Sequence, residues 1–130
     1  MNKVYWDKQF KITLAMSDPS MNHHDVVKLL LVRKLIWEHR REKAHIRIYT
    51  EFEATEGVIC DVYMENTKTK EAFAFEIQKD FSPKWLKKKT EQYKDWEVPY
   101  FKSSDFIPIN LNKMSKDYSQ IYMELDDYVV

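Results

Sequence analysis

The stretch "GVICDVYMENTKTKEAFAFEIQKD", residues 57–80, contains two strand-like segments, 57–67 and 71–80, with the polar linker "TKTK" between them. A linker this short is typical of a β-hairpin. The segment "AHIRIYTEFEA" at 44–54 is also strand-like, and only "TEG" separates it from the hairpin. The sequence therefore predicts an antiparallel meander of three strands.

The third strand of this meander has two unequal faces. Alternate side chains of a strand point to the same side of the sheet. Phe73, Phe75 and Ile77 therefore share one face, which we expect to enter the core. Glu76 and Gln78 share the other face with two small alanines. A carboxylate on such a strand is costly to ionise unless it is paired or bound to a metal ion.

The strand before it carries a second acid. Strict alternation places Asp61 on the same face as Ile59 and Tyr63. The other face then consists of Val58, Cys60, Val62 and Met64. The hairpin can bring Asp61 next to Glu76, and two close carboxylates favour a divalent cation, with oxygen ligands selecting Mg²⁺ or Mn²⁺. Alternatively, both acids lie on a solvated face and pair with Lys or Arg.

Helical and strand-like segments flank the meander. Ser82 and Pro83 are residue types that begin a helix, because serine caps free N–H groups and proline fits the first turn. The predicted flanking elements are a short strand within 4–16, helices at 25–41, 83–96 and 115–130, and a strand at 105–112. From residue 25 onwards the order is α-β-β-β-α-β-α, which indicates a single α+β domain.

The second predicted helix places polar residues on its inward face. Lys89 and Gln92 follow Trp85 at helical spacing, among aromatic side chains. This face should pack over the strand that carries Glu76, so Lys89 can converge on that carboxylate. The alternative for a lone lysine is a side chain that extends from the edge of the face into solvent.

A third acid can complete a metal site, and three glutamates are candidates for it. Glu38 lies near the end of the first predicted helix, in line with residues that face the sheet. Glu51 and Glu53 share one face of the first strand of the meander. A surface position is the alternative for Glu38, and the sequence does not rank the three acids.

These residues, in this order of elements, resemble the PD-(D/E)xK nuclease superfamily over about residues 25–112. A helix is followed by three strands, with Asp61 on the second, and then by a helix and a strand. The third strand carries Glu76-Ile77-Gln78. The resemblance implies a restriction-endonuclease-like α+β fold, an α/β sandwich in which helices flank a central mixed sheet of four to five strands. It also implies that the whole chain is one nuclease-like domain.

In that superfamily the aspartate and the glutamate bind Mg²⁺, with the backbone carbonyl between the motif positions as a further ligand. The resemblance therefore implies Asp61, Glu76 and the Ile77 carbonyl as ligands of Mg²⁺ or Mn²⁺. Glu38 corresponds to the acid that the first helix often contributes. The implied reaction is metal-assisted hydrolysis of a DNA phosphodiester bond. The segment "QYKDW", 92–96, is similar to a Gln-x-x-x-Tyr element of some branches, with Trp in place of Tyr.

Two departures from the superfamily pattern bear on activity. No proline precedes Asp61, and Gln78 occupies the position of the usual lysine. Gln78 or Lys89 would have to orient the attacking water, since the motif lysine is missing. If neither compensates, the chain is a catalytically inactive nucleic-acid-binding or assembly protein on the same fold.

Cations near the site are expected to contact DNA through its backbone or its structure rather than through base edges. The chain has 21 basic and 21 acidic residues, so only a local cluster can attract phosphates. An amphipathic last helix is compatible with a homodimer. The predicted nucleic-acid contacts are Lys84, Lys87, Lys88, Arg40, Arg41 and Gln92.

Composition excludes several other classes of protein. Gly57 is the only glycine, so neither a nucleophile elbow nor a phosphate-binding loop can form. His23 and His24 lack a set of Cys or His partners, so no zinc site is expected. Cys60 is the only cysteine and no apolar run suits a signal peptide or a membrane span, which predicts a cytoplasmic protein. An unrelated α+β interaction domain, with both acids at its surface, is a third hypothesis.

Overall fold

The computed structural model describes residues 8–13 and 22–130, which form one mixed sheet with helices on both faces. The strands are β1 (Phe10–Lys11), β2 (Ile46–Thr55), β3 (Val58–Asn66), β4 (Glu71–Gln78) and β5 (Ser103–Asn110). The helices are α1 (His23–Glu38), α2 (Pro83–Gln92) and α3 (Tyr118–Glu124). Within the described ranges, no helix combines the length and the apolar character needed to cross a membrane.

The five strands lie in chain order, β1-β2-β3-β4-β5. β2, β3 and β4 pair antiparallel, whereas β1 runs parallel to β2 and β5 runs parallel to β4. The predicted α+β class, with a central mixed sheet and flanking helices, is confirmed. The strand predicted within 4–16 includes β1, while residues 4–7 and 14–16 lie outside the described residues.

Side-chain caps set the starts of the two longest helices. The side chain of Asn22 accepts the N–H of Asp25 at 2.8 Å, so α1 begins at His23. The Ser82 hydroxyl accepts the N–H of Trp85 at 3.1 Å, as the sequence predicts for the start of α2. Both caps satisfy N–H groups that the first helical turn leaves without a partner.

The predicted ends of the helices were too late in the chain. α1 ends at Glu38 rather than at residue 41, and α2 ends at Gln92 rather than at residue 96. After α2 the N–H of Trp96 bonds to the Tyr93 carbonyl at 3.1 Å, a tighter turn than an α-helix allows. α3 covers only Tyr118–Glu124, and β5 begins and ends two residues earlier than predicted.

Both faces of the sheet are buried, and each receives a different set of β4 side chains. Phe73, Phe75 and Ile77 pack beneath α1 and α3, in a core that also contains Leu31 and Leu125. The two alanines of β4 lie in a second core, together with aromatic rings from the turn after α2. The predicted division of β4 into two faces is confirmed, because the two sets of side chains lie in different cores. The small alanines leave room for the large rings on their face.

The side-chain alternation of β3 breaks at Asp61. Cys60 packs in the core on the α2 side, whereas Val62 packs in the core on the α1 side. On β2, Glu51 stands at the matching position of the register and has a left-handed φ of 52°. The prediction of one continuous face was therefore wrong for Val58, Cys60, Val62 and Met64. At this irregularity, side chains two residues apart on the same strand point to opposite faces of the sheet.

Burial distinguishes two isoleucines on neighbouring strands. Ile48 on β2 is fully buried, whereas Ile59 on β3 is 56% exposed. Ile48→Ala should lower the free energy of unfolding by about 2–5 kcal/mol, because it leaves a cavity in the core. The matched variant Ile59→Ala should lower it by less than about 1 kcal/mol. Denaturant unfolding of both variants checks this, and equal losses would contradict the described packing.

Candidate functional site

Two carboxylates meet at the end of β3 and β4. Regular pairing of the two strands ends at Val62 and Phe75, and one step further along this register Asp61 faces Glu76. Asp61 Oδ2 accepts the N–H of Ile77 at 2.6 Å. Because the N–H and C=O of one strand residue point to the same side, the Ile77 carbonyl faces the same gap. The structure thus brings together the two acids and the backbone group that the sequence singles out.

Lys89 reaches this site from α2. Its Nζ lies 3.1 Å from Glu76 Oε1, and both side chains are largely buried. The structure thus gives Lys89 an ion pair rather than a solvated end. The inward placement of Gln92 was wrong, because Gln92 is exposed and Tyr93, four residues after Lys89, occupies that face.

The surroundings of Glu76 disfavour the ionised form of its carboxyl group. Burial raises the pKa of its carboxyl above the ordinary value, and the Tyr93 hydroxyl and Lys89 offset part of this rise. The Tyr93 hydroxyl adjoins this carboxylate and is itself buried without a partner of good hydrogen-bond geometry among the described residues. Glu76 Oε2 is consequently buried without a hydrogen-bond partner among the described residues.

The first turn of α1 supplies a partner for Asp61. His24 Nε2 lies 3.1 Å from Asp61 Oδ1. The hydrogen bond with Asp61 raises the pKa of His24, and burial opposes this effect. Sequence reasoning considered His24 only as a zinc ligand and missed this contact. Its position two residues after the Asn22 cap, in the first turn of a helix that packs on the sheet, was the available signal.

A buried lysine extends the site into a network of alternating charges. Lys28 is 1% exposed, and its Nζ lies 2.9 Å from Glu51 Oε1 and 3.6 Å from Asp25 Oδ1. Asp25 Oδ1 in turn lies 3.5 Å from His24 Nδ1. The network therefore links Glu51, through α1, to Asp61, and it holds His24 between two carboxylates.

Of the three candidate acids, only Glu51 belongs to this network. Glu38 is exposed at the last position of α1, about 21 Å along the helix from His24. The structure does not bring it to the site, because α1 points its first turn and not its last turn toward Asp61. Glu53 instead accepts the N–H of Gly57 at 2.9 Å in the β2–β3 turn.

Asp61 and Glu76 line an open cleft of about 720 Å³ at the end of β3 and β4. Gln78 also lines the cleft, and its amide donates to the Asp80 carbonyl at 3.3 Å rather than to either acid. Among the described residues, no group of three or more His, Cys, Asp or Glu side chains is arranged to hold a metal ion. Any cation here would depend on two carboxylates and the Ile77 carbonyl.

The predicted nucleic-acid contacts divide between the two ends of the molecule. Lys84, Lys87 and Lys88 are exposed on α2, the helix that carries Lys89 into the site. Arg40 and Arg41 follow the far end of α1, and the Arg40 guanidinium lies 4.0 Å above the Trp37 ring. The prediction that the two arginines surround the acids was wrong, because α1 runs away from the site.

Comparisons with known proteins add no relative. No protein-family model, no curated protein and no solved structure matches this chain. The resemblance to the PD-(D/E)xK superfamily therefore rests on the residues and the order of elements of this chain.

The raised pKa of His24 predicts a pH-dependent contribution to stability. A group whose pKa is higher in the folded state stabilises the fold below its ordinary value of 6.5, and this stabilisation is lost as the pH rises through the folded-state pKa. The loss of unfolding free energy in His24→Gln should therefore be larger at about pH 6 than at about pH 9. Urea unfolding at both pH values measures it.

The matched control for this experiment is His45→Gln, at an exposed histidine remote from the acids. The difference in unfolding free energy between wild type and His45→Gln should change less between about pH 6 and about pH 9 than the difference for His24→Gln. An equal loss for His24→Gln at both pH values would contradict the described contact with Asp61.

Proposed function

We propose that this chain is a Mg²⁺- or Mn²⁺-dependent nuclease of the PD-(D/E)xK type, which hydrolyses phosphodiester bonds of DNA at Asp61 and Glu76. One observation carries the proposal: the carboxylates of Asp61 and Glu76 meet at the end of β3 and β4, in an open cleft. Two close carboxylates in a largely buried position are costly to ionise unless a cation compensates their charge. A divalent cation is a ligand that would do so.

The donor set suits a hard cation. Mg²⁺ is commonly bound through one or two carboxylates together with water and substrate phosphate, and Asp61, Glu76 and the Ile77 carbonyl supply oxygen atoms of this kind. Lys89 contacts Oε1 of Glu76 and not Oε2, so the lysine and a cation could use different oxygens. When bound, the cation would polarise the phosphate and lower the pKa of a bound water.

The protein's own groups would orient the reactants. Lys89 is a cation beside Glu76, where the sequence lacks the motif lysine, and it can hold a water or a phosphate oxygen by a charge-assisted hydrogen bond. His24 holds the Asp61 carboxylate from the side of α1. Lys28 and Asp25 position His24 in turn, so they act through it and not on the substrate.

Substrate binding would use the exposed side of α2. Lys84, Lys87 and Lys88 lie on the helix that delivers Lys89, so phosphates held there would lead into the cleft. Such contacts fix the position of the nucleic-acid backbone without reading its sequence.

A second candidate function is nucleic-acid binding without cleavage. The hydrogen bonding of Gln78 favours it, because its amide donates to the Asp80 carbonyl and not to either acid. Gln78 also carries no charge and cannot replace a lysine as a cation. In this case the lysines of α2 would bind phosphates, while Asp61 and Glu76 keep their contacts with His24 and Lys89 and bind no cation.

Removal of either acid tests the nuclease. Asp61→Asn and Glu76→Gln should each reduce DNA cleavage by at least about 100-fold, because each removes a charged oxygen ligand. EDTA should abolish cleavage by the wild type, and Mg²⁺ or Mn²⁺ should restore it. Linear, circular and branched DNA are the substrates, and product release is measured on gels. The control Glu53→Gln, at an exposed acid outside the site, should cleave at the wild-type rate.

The same experiment separates the two functions. Cleavage that persists in both acid variants would refute the site assignment. Wild-type protein that binds DNA without cutting any of the three substrates would favour the binding function. In that outcome Gln78→Lys supplies the missing cation, and the appearance of cleavage would show that the remaining parts of the site are functional.

Two basic clusters offer a matched test of DNA binding. Neutralising Lys84, Lys87 and Lys88 with glutamine should weaken DNA binding and reduce the slope of log affinity against log salt by about 2–3. The double variant of Arg40 and Arg41, at the other end of the molecule, should retain the wild-type slope. Fluorescence anisotropy at several salt concentrations measures both slopes. Equal slopes for the two sets would contradict binding along α2.

A further inference from the structure

A second cavity lies on the α2 side of the sheet, toward the end remote from the acids. It has a volume of about 310 Å³, within the range of small-ligand pockets. Its floor is formed by β2 and β3, and its rim by the segment 98–101. The residues that carry the inference are Arg47, Tyr63, Glu65, Lys70, Tyr100 and Phe101.

The rim residue Tyr100 combines an unusual backbone with an unpacked ring. Tyr100 is 96% exposed, and its backbone φ is 71°. The N–H of Phe101 bonds to the Val98 carbonyl at 3.0 Å, so Pro99 and Tyr100 are the central residues of a turn. The third position of a turn with positive φ normally holds Gly or Asn. A tyrosine there is unfavourable for folding, which suggests that its ring has a use.

Two groups of opposite charge face this cavity from neighbouring strands. Arg47 and Glu65 are direct partners in the β2–β3 register. Within the described residues, no ion pair of 4.0 Å or less joins them. Burial raises the pKa of Glu65, while Arg47 and Lys70 oppose this rise, so both cations act on the same carboxylate.

Aromatic rings form the floor and one wall of the cavity. Tyr63 stacks on Phe52 with ring centroids 4.3 Å apart, and on Tyr49 at 6.2 Å. Lys70 Nζ lies 5.9 Å from the centroid of the Phe101 ring. The pocket therefore combines flat apolar surfaces with two cations and one carboxylate.

We propose that this pocket binds one unpaired nucleobase together with its phosphate. A base can stack on the exposed ring of Tyr100, as bases stack on aromatic residues of proteins that bind single strands. Glu65 would accept hydrogen bonds from amino or imino groups of the base edge. Arg47 and Lys70 would hold the phosphate by charge-assisted hydrogen bonds.

The pocket lies on the strand that carries the acidic site. Glu65 is four residues from Asp61 along β3, a distance of about 13 Å. A single strand of nucleic acid spans such a distance with a few nucleotides. The binding of a nucleotide is independent of cleavage, whereas a role for the pocket as a substrate subsite rests on the proposed nuclease function.

The direct test is titration of the wild-type protein with AMP, GMP, CMP and UMP in EDTA, followed by NMR of the aromatic side chains. At least one nucleotide should bind about 10-fold more tightly than ribose 5-phosphate or inorganic phosphate, with shifts at Tyr100 and Phe101. Equal binding of phosphate alone would show a simple anion site and overturn the proposal. Absence of binding by all four nucleotides would also overturn it.

Variants distinguish recognition from folding. Tyr100→Gly should weaken nucleotide binding by about 10-fold without lowering Tm, because glycine adopts a positive φ freely. Tyr118→Ala, at an exposed tyrosine on α3, should keep the wild-type affinity. Arg47→Gln should also weaken nucleotide binding, and its affinity tests the pocket if Tyr100→Gly does not fold. Unchanged affinity in both pocket variants would overturn the proposal.

The outcome is separable from that of the proposed nuclease. Asp61→Asn and Glu76→Gln should retain wild-type nucleotide affinity, because neither residue lines this pocket. Loss of nucleotide binding in these two variants would overturn the proposal of an independent pocket. Failure of all cleavage assays would leave the nucleotide titration as a valid test.

Discussion

The carboxylate of Asp61 accepts the backbone N–H of Ile77, and the rest of the site depends on this hydrogen bond. Regular pairing of β3 with β4 stops one step earlier, at Val62 and Phe75, so a side chain replaces the next carbonyl of the ladder. Because Glu76 directly precedes Ile77, the same contact holds two carboxylates at the end of the sheet. Side-chain alternation breaks at Asp61, and its carboxylate contacts β4 there.

Two acids can share a largely buried position only when cations or hydrogen bonds compensate their charge. Here the compensating groups come from helices that cover opposite faces of the sheet: the imidazole of His24 from α1 and the ammonium of Lys89 from α2. Lys28 then needs partners of its own, because it is almost fully buried, and Asp25 and Glu51 provide them. Electrostatics thus constrains how both helices lie on the sheet, in addition to the apolar packing.

Much of the sheet and part of the site could be predicted from local pattern. The period of two in β4 predicts the face that carries Glu76, and the Ser82 cap predicts the helix that brings Lys89 to it. His24 and Glu38 show where such reasoning fails. Helical spacing indicates the face of α1 that meets the sheet, but it does not indicate which end of the helix lies at the acids. Gln92 fails for a related reason, since positions three and four residues after Lys89 are both neighbours on a helix.

Local pattern was enough to predict the strands, the start of α2 and the approach of Asp61 to Glu76, because these depend on periodicity, a helix cap and a hairpin connection. Three features follow only from the three-dimensional arrangement: Glu51 joins the charge network through Lys28, His24 faces Asp61, and Tyr100 borders a charged aromatic pocket. These contacts join distant parts of the chain. They depend on the direction of α1 across the sheet and on a backbone irregularity at Glu51, which no local pattern specifies.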